Sequence, residues 1–358
     1  MFRRHFLTYL ALSTMAIAQP LLDLYGKNTT IFSAAKLSPI EVSLFLLVVG
    51  LVPAIVCISL DRFSALFGPK VNEAMRLILI SGLSLMLGLA VARLVILNRT
   101  VPSIIFGVVF AVVIPMSFDK SKAVREWSRW LALLSVAVLG SAAISLQPVL
   151  LKSDGPSSDA VIGNKKVSVL EVIFDEFPVF SLLGTDGAIN AARFPAFAEL
   201  EQGSTWYRNS VAESNFTHQA VPAILSSSVP SQTGGPFLTQ YPKNIFTLFA
   251  GATSVAGTEP VTSLCPRSVC KTKGSTATSL SFNKLKNFIH DAVFVYGQRV
   301  LPPVLREHIP SVEGTWGGFG AVANEFKDQF SFGALSQVDA VQRAEEVATG
   351  PAAPQVQV

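Results

Sequence analysis

"KKVSVLEVIFDEFPVF", residues 165–180, decides the reading of the fold. Val167–Phe174 is rich in valine and isoleucine and too short for a helix of its own, so it predicts a strand. The run ends in Asp175-Glu176, two adjacent acids that repel each other. In open α/β sheets, ligands bind beyond the carboxyl ends of the strands. Paired carboxylates there are hard oxygen ligands suited to a divalent cation, which would also remove their repulsion. The competing reading has one acid capping the next helix near Pro178 while the other faces solvent.

Downstream, the pattern alternates. "RFPAFAELEQG" (193–203) reads as an amphipathic helix stopped by Gly203. "STWYRNSV" (204–211) reads as a strand. "THQAVPAILSS" (217–227) reads as a short helix with Pro222 late enough to kink it. "NIFTLFAGA" (244–252) is a helix, and "TSVAGTEP" (253–260) is a strand leading into a loop. Strands alternating with helices predict an α/β layered domain with a largely parallel sheet. "LKSDGPSSDAVIGNKK" (151–166) is dense in Gly, Pro, Ser and Asp and reads as a linker. The last ten residues, "TGPAAPQVQV", read as a disordered end, and the tail is expected from residue 336.

Upstream, the chain is of another kind. Half of all residues are hydrophobic, only 15% are charged, and mean hydropathy is +0.48. Nearly all of this excess lies before residue 150, which predicts a membrane domain followed by a polar one. Five spans are expected, at 7–25, 41–60, 77–97, 101–117 and 130–149. The first carries Gln19, Pro20 and Asp23, and a cleaved signal peptide is its rival, although no small-x-small cleavage site follows it.

With a cytoplasmic N-terminus, the inner segments hold Arg3, Arg4, Arg62, Lys70, Arg76, Lys120, Lys122, Arg125 and Arg129, against Lys27, Lys36 and Arg99 outside. That bias follows the positive-inside rule and puts residue 151 onward outside the cytoplasm. The net charge of +4 is therefore a topology signal rather than a nucleic-acid footprint. Asp23 and Arg93 lie near span ends and read as side chains reaching the interface.

Two further features carry chemistry. In "ESNFTHQAVPAILSSSVP", Thr217 sits where a helix should begin. Backbone N–H groups and the helix dipole stabilise an anion there, and a metal ion alongside would make the hydroxyl nucleophilic. Against this stands the ordinary role of threonine as an N-cap. His218 adjoins it and is placed to contact a substrate phosphate, or is simply the next helix residue. Cys265 and Cys270, in "LCPRSVCK", are close together in the exported part, where an oxidising compartment favours a disulfide. A zinc site would need two more ligands, and no histidine is near in sequence.

"VIFDEFP", "RFPAFAELEQGSTWYRNS" and "NFTHQAVPAILSS", in this order, resemble the N-terminal half of the sulfatase-like branch of the alkaline phosphatase superfamily. Five spans before such a domain resemble the layout of lipoteichoic acid synthases and phosphoethanolamine transferases. The likeness covers roughly 166–275 by motif and 1–150 by architecture. It implies Asp175 as first metal ligand, Thr217 as nucleophile and further ligand, and Glu176 as a second acidic ligand. Sulfatases proper use a formylglycine made from cysteine or serine. A threonine implies phosphoryl transfer instead. The family completes its metal site with an Asp-His pair and a further histidine. This sequence holds only His5, His218, His290 and His308, with no Asp-His-Gly.

The expected architecture is thus α/β: a five-helix transmembrane bundle (1–150), a linker (151–166), and an incomplete alkaline-phosphatase-like α/β/α sandwich (167–335). The resemblance implies a hydrolase or phosphotransferase using Mg, Mn, Ca or Zn on an envelope lipid or glycan ester. It would sit in the cytoplasmic membrane with the later domain outside. Its partners would be the bilayer and that substrate, with no nucleic acid. The alternative is a catalytically silent membrane protein retaining half of the fold. A transporter reading is disfavoured, because the spans lack a paired broken-helix pattern.

Overall fold

The computed structural model describes residues 2–96, 99–151, 169–174, 177–231, 235–250, 255–259, 261–266, 268–270, 280–312, 317–319 and 356–357. The chain forms two compact units: residues 1–153 with 273–341, and residues 154–272 with 342–358.

The first unit is helical. α1 (Phe2–Ser13) runs through a π-helical turn, Thr14–Ala18, into α2 (Gln19–Lys27). α3 (Thr30–Ala34) is a short turn of helix, followed by α4 (Pro39–Ser64), α5 (Pro69–Val95), α6 (Thr100–Lys120), α7 (Lys122–Ser145) and α8 (Gln147–Leu150). Four stretches among the described residues are long and apolar enough to cross a membrane: His5–Lys27, Pro39–Phe67, Pro69–Val95 and Thr100–Phe118. The expected fifth span, 130–149, is not one uniform helix. The apolar part of α7 is only Trp130–Ser145, and the chain leaves helical geometry at Leu146 before α8. That is short of the roughly 20 residues a crossing needs.

Small residues let the spans approach. A Cβ on Gly88 of α5 would lie 2.8 Å from the Gly107 Cα of α6 and 2.8 Å from the Phe110 Cβ. In lipid, close packing at glycine replaces the hydrophobic drive that joins helices in water. A core of Tyr9, Leu12, Ala54, Cys57, Ile58, Ile80 and Leu83 joins α1, α4 and α5.

α4 has a buried acid near each end, and sequence reading singled out neither. At its start, "SPIE" (38–41) forms a capping box between Ser38 and Glu41. At its far end Asp61, 2% exposed, accepts from Asn72 Nδ2 at 3.0 Å and from Arg76 Nε at 3.4 Å. These bonds lace α4 to α5 across the turn at Gly68, whose φ of 109° suits only glycine comfortably.

A second group of residues completes this unit. α12 (Phe282–Val300), which follows α9 (Pro195–Gly203), α10 (Thr217–Ser226) and α11 (Ile245–Phe249) of the other unit in sequence, packs with the bundle. Its buried residues Leu285, Phe288, Ala292 and Val295 recur at helical spacing on one face. Phe288 enters an aromatic cluster with Tyr25, Phe32 and Phe45, at centroid distances of 5.4, 5.3 and 4.9 Å.

Both ends of α12 are tied down. Glu41 Oε1 accepts from the Ser281 N–H at 2.8 Å while Oε2 accepts from the Ser38 N–H at 2.7 Å. The Tyr296 hydroxyl donates to the Ala16 carbonyl, inside the π-helical turn, at 2.8 Å. Asp291 accepts from the N–H groups of Gly318 and Phe319 at 2.8 and 3.0 Å. α13 (Pro303–Arg306) follows. Residues 273–341 group with the helical unit.

The second unit holds α9 (Pro195–Gly203), α10 (Thr217–Ser226) and α11 (Ile245–Phe249), close to expectation. Its sheet is much smaller than expected. β1 (Val169–Leu170), β2 (Val255–Ala256) and β3 (Val356–Gln357) are two residues each, in the order β1-β3-β2, all parallel. β3 lies in the tail expected to be disordered. "STWYRNSV" is not a strand: Arg208 turns aside to donate to the Gly187 carbonyl at 2.8 Å and lies 5.1 Å over the Trp206 ring. The described residues show no α/β/α sandwich.

Candidate functional site

Asp175 and Glu176 lie outside the described residues. The residues on either side of them are held. Phe174 and Phe177 pack on Phe197 of α9, with ring centroids 5.7 and 5.5 Å away, and Phe177 also meets Phe194 at 6.2 Å. β1 thus leads into an aromatic cluster that fixes the chain just before and just after the two acids.

Thr217 is the first residue of α10, and Phe216 holds the N-cap position in extended geometry. This corrects the N-cap reading of Thr217. The loop ahead of the helix is organised by Ser214, whose hydroxyl donates to Gln219 Oε1 at 2.8 Å and accepts from the Phe216 N–H at 3.3 Å. The Phe216 carbonyl accepts from Gln219 and Ala220 at 2.9 and 2.8 Å. Thr217 and His218 are half-buried at the positive end of the helix dipole. Burial pushes the His218 imidazole below its usual value, so the ring is neutral at pH 7. Pro222 lies inside α10, and Ser227 ends the helix in left-handed geometry with φ 51°.

The helix rests on a core of Leu225, Tyr241, Phe246, Val255 and Leu264, with Cys265 and Cys270 packed against it. Those two cysteines are joined by a disulfide with Cα atoms 6.0 Å apart. Glu259 braces the same loop, accepting from the Thr262 hydroxyl and from the N–H groups of Leu264 and Cys265 at 2.8, 2.7 and 3.0 Å. Buried Asn244 caps α11 and donates to the carbonyls of Tyr241 and Leu264. A disulfide, a carboxylate and an amide therefore rigidify the ground under α10.

Among the described residues, no three His, Cys, Asp or Glu side chains come together as a metal site. His290 lies in the helical unit, 5.0 Å from the Phe294 ring. Compared with family models, curated proteins and solved structures, the chain matches none.

The residues sequence reasoning missed are basic. Arg93 at the end of α5, Arg299 at the end of α12 and Arg306 of α13 line one cleft of about 240 Å³. The sequence offered no motif for it, since the three are spread over more than 200 positions.

Proposed function

We propose that this protein, embedded in the cytoplasmic membrane by its apolar helices, carries out sulfatase-like phosphoryl transfer outside the cytoplasm. Thr217 is the nucleophile, and the substrate is a phosphate ester of an envelope lipid or glycan. The observation that carries the reading is the placement of Thr217 as first residue of a ten-residue helix on a disulfide-braced base. The positive end of that helix dipole suits the phosphate oxygens.

In the step proposed, Thr217 Oγ forms a bond to phosphorus as the ester P–O bond breaks, and the proton lost by the Thr217 hydroxyl ends on the departing alkoxide, which leaves as an alcohol. Water or a second alcohol then attacks phosphorus and frees Thr217. Asp175 and Glu176 supply oxygen donors of the kind a divalent cation takes, and such a cation would make the threonine hydroxyl more acidic and offset developing charge. His218, neutral through burial, would donate a ring N–H to a phosphate oxygen. The parallel order of β1, β3 and β2 suits an α/β sheet whose strand ends face ligand.

A second reading is a catalytically silent membrane protein. It is favoured by the exposure of Val169, Leu170, Val172, Ile173 and Phe174, since a strand of a working parallel sheet is covered on both faces.

One experiment separates the two. The protein in native membranes is incubated with Mn²⁺ and membrane phospholipid, and the peptide carrying Thr217 is analysed by mass spectrometry. A phosphodiester joining Thr217 to the part of the lipid that did not leave is expected there, formed on the serine in Thr217→Ser and lost in Thr217→Ala. Because Thr217 is not the N-cap, Thr217→Ala should cost less stability than the roughly 0.5–2 kcal/mol of a lost cap. An unmodified Thr217 in the wild type would favour the silent reading.

A further inference from the structure

α12 crosses the end of the helical bundle. Phe288 and Arg299 lie about 16 Å apart along it. They meet Tyr25, at a ring distance of 5.4 Å, and Asp23, at 4.0 Å, which are close neighbours in α2. The helix therefore runs across α2, near the end of the span that finishes at Lys27, rather than alongside it. Its start lies at the same end of the bundle, since the Ser281 N–H bonds to Glu41 in the first turn of α4.

At about 3.6 residues per turn, the two flanks of α12 differ. Leu285, Phe288, Ala292 and Val295 face the bundle. On one side of that stripe lie Phe282, Ile289, Val293 and Tyr296, and on the other Asn283, Asn287, Asp291 and Gln298. The first flank is apolar, and Phe282 and Val293 are 73% and 63% exposed. Its direction is fixed by Tyr296, whose hydroxyl reaches the Ala16 carbonyl, in the middle of the span His5–Lys27. That flank thus points down the bundle, toward the depth where acyl chains surround the spans. The polar flank points the other way. There Asp291 holds the N–H groups of Gly318 and Phe319, and Gln298 Nε2 donates to the Pro310 carbonyl at 3.0 Å.

We infer that α12 is an interfacial helix whose Phe282, Ile289 and Val293 flank rests in lipid, at the boundary of headgroups and acyl chains. An amphipathic helix in that plane sinks its apolar face about 5–10 Å into the boundary. The occupant is lipid because the flank continues the surface of the spans it crosses. α12 packs across α5, whose last residues Leu94 and Val95 are apolar and exposed as well. The inference goes beyond the proposed activity: it depends neither on Thr217 being a nucleophile nor on which leaflet the helix meets.

The test uses the full chain in phosphatidylcholine vesicles. Phe282→Cys, Val293→Cys, Asn283→Cys and Asn287→Cys are made singly and carry a nitroxide. Cys57 is buried and Cys265 is bonded to Cys270, so the label goes to the new thiol. Collision with oxygen, which gathers among acyl chains, is compared with collision with a nickel chelate, which stays in water. The logarithm of the oxygen-to-nickel ratio should be positive at Phe282 and Val293 and negative at Asn283 and Asn287. The value at Val293 decides. A negative value there would overturn the inference, and so would a label closed to both reagents, which would mean that protein covers the flank. The unaltered chain gives a second reading. A phosphatidylcholine with a diazirine on its acyl chain should, on illumination, label the peptide 282–296. Labelled spans beside an unlabelled 282–296 would overturn the inference without any variant.

Discussion

Glu41→Ala should be the most damaging single change in the helical unit. Glu41 is 2% exposed, and its two oxygens hold the N–H groups of Ser38 and Ser281, residues far apart in the chain. Alanine removes both acceptors at once and leaves two donors without partners, each costing about 1–3 kcal/mol. The expected loss is therefore about 2–6 kcal/mol, read as a lower melting temperature in detergent. Glu41→Gln keeps one acceptor oxygen and should lose about half as much. Amide exchange should locate the loss, with the first turn of α12 opening before the rest. A Glu41→Ala protein that melts with the wild type would show that Glu41 does not anchor α12.

Gly88→Leu should come second. The contact at Gly88 is with backbone, a Gly107 Cα 2.8 Å from where a Cβ would stand, and backbone cannot swing aside as a side chain can. α5 and α6 must move apart, and overpacking of this kind costs about 1–3 kcal/mol. Gly82 supplies an internal control in the same helix, since a Cβ there meets nothing within 4 Å. Gly82→Leu should leave the melting temperature within error of the wild type. Equal effects of the two substitutions would mean that α5 and α6 do not pack at Gly88.

The parts legible in the sequence are those set by local chemistry. Continuous apolar runs gave the long spans, and the helix starting at Thr217 was visible from threonine followed by an apolar-periodic stretch. The capping box at Ser38 and Glu41 was there to be read in "SPIE", but only its local half. The second oxygen of Glu41 bonds to Ser281, and nothing near residue 41 announces that partner.

α12 shows the same limit. Its apolar stripe, Leu285, Phe288, Ala292 and Val295, says that one face is buried without saying against what. Two of the three expected strands contain β1 and β2, but both are shorter than read, for a related reason. Val167–Phe174 has strand composition, but a strand needs a partner, and among the described residues only Val169 and Leu170 pair. The arginine cleft was invisible because a basic residue at a span end reads as interfacial whether or not two others meet it in space.

The functional reading rests on the side of the membrane that the second unit occupies, because an envelope ester is within reach of Thr217 only from outside the cytoplasm. The direct measurement is a pair of reporters fused in turn after Pro156, one active only outside the cytoplasm and one fluorescent only inside. With α7 as a fifth crossing, its basic first turns inside, the distribution of Arg and Lys in residues 1–150 predicts activity from the first and darkness from the second, whereas four crossings predict the reverse. A fluorescent inner reporter beside an expressed but inactive outer one would contradict the account.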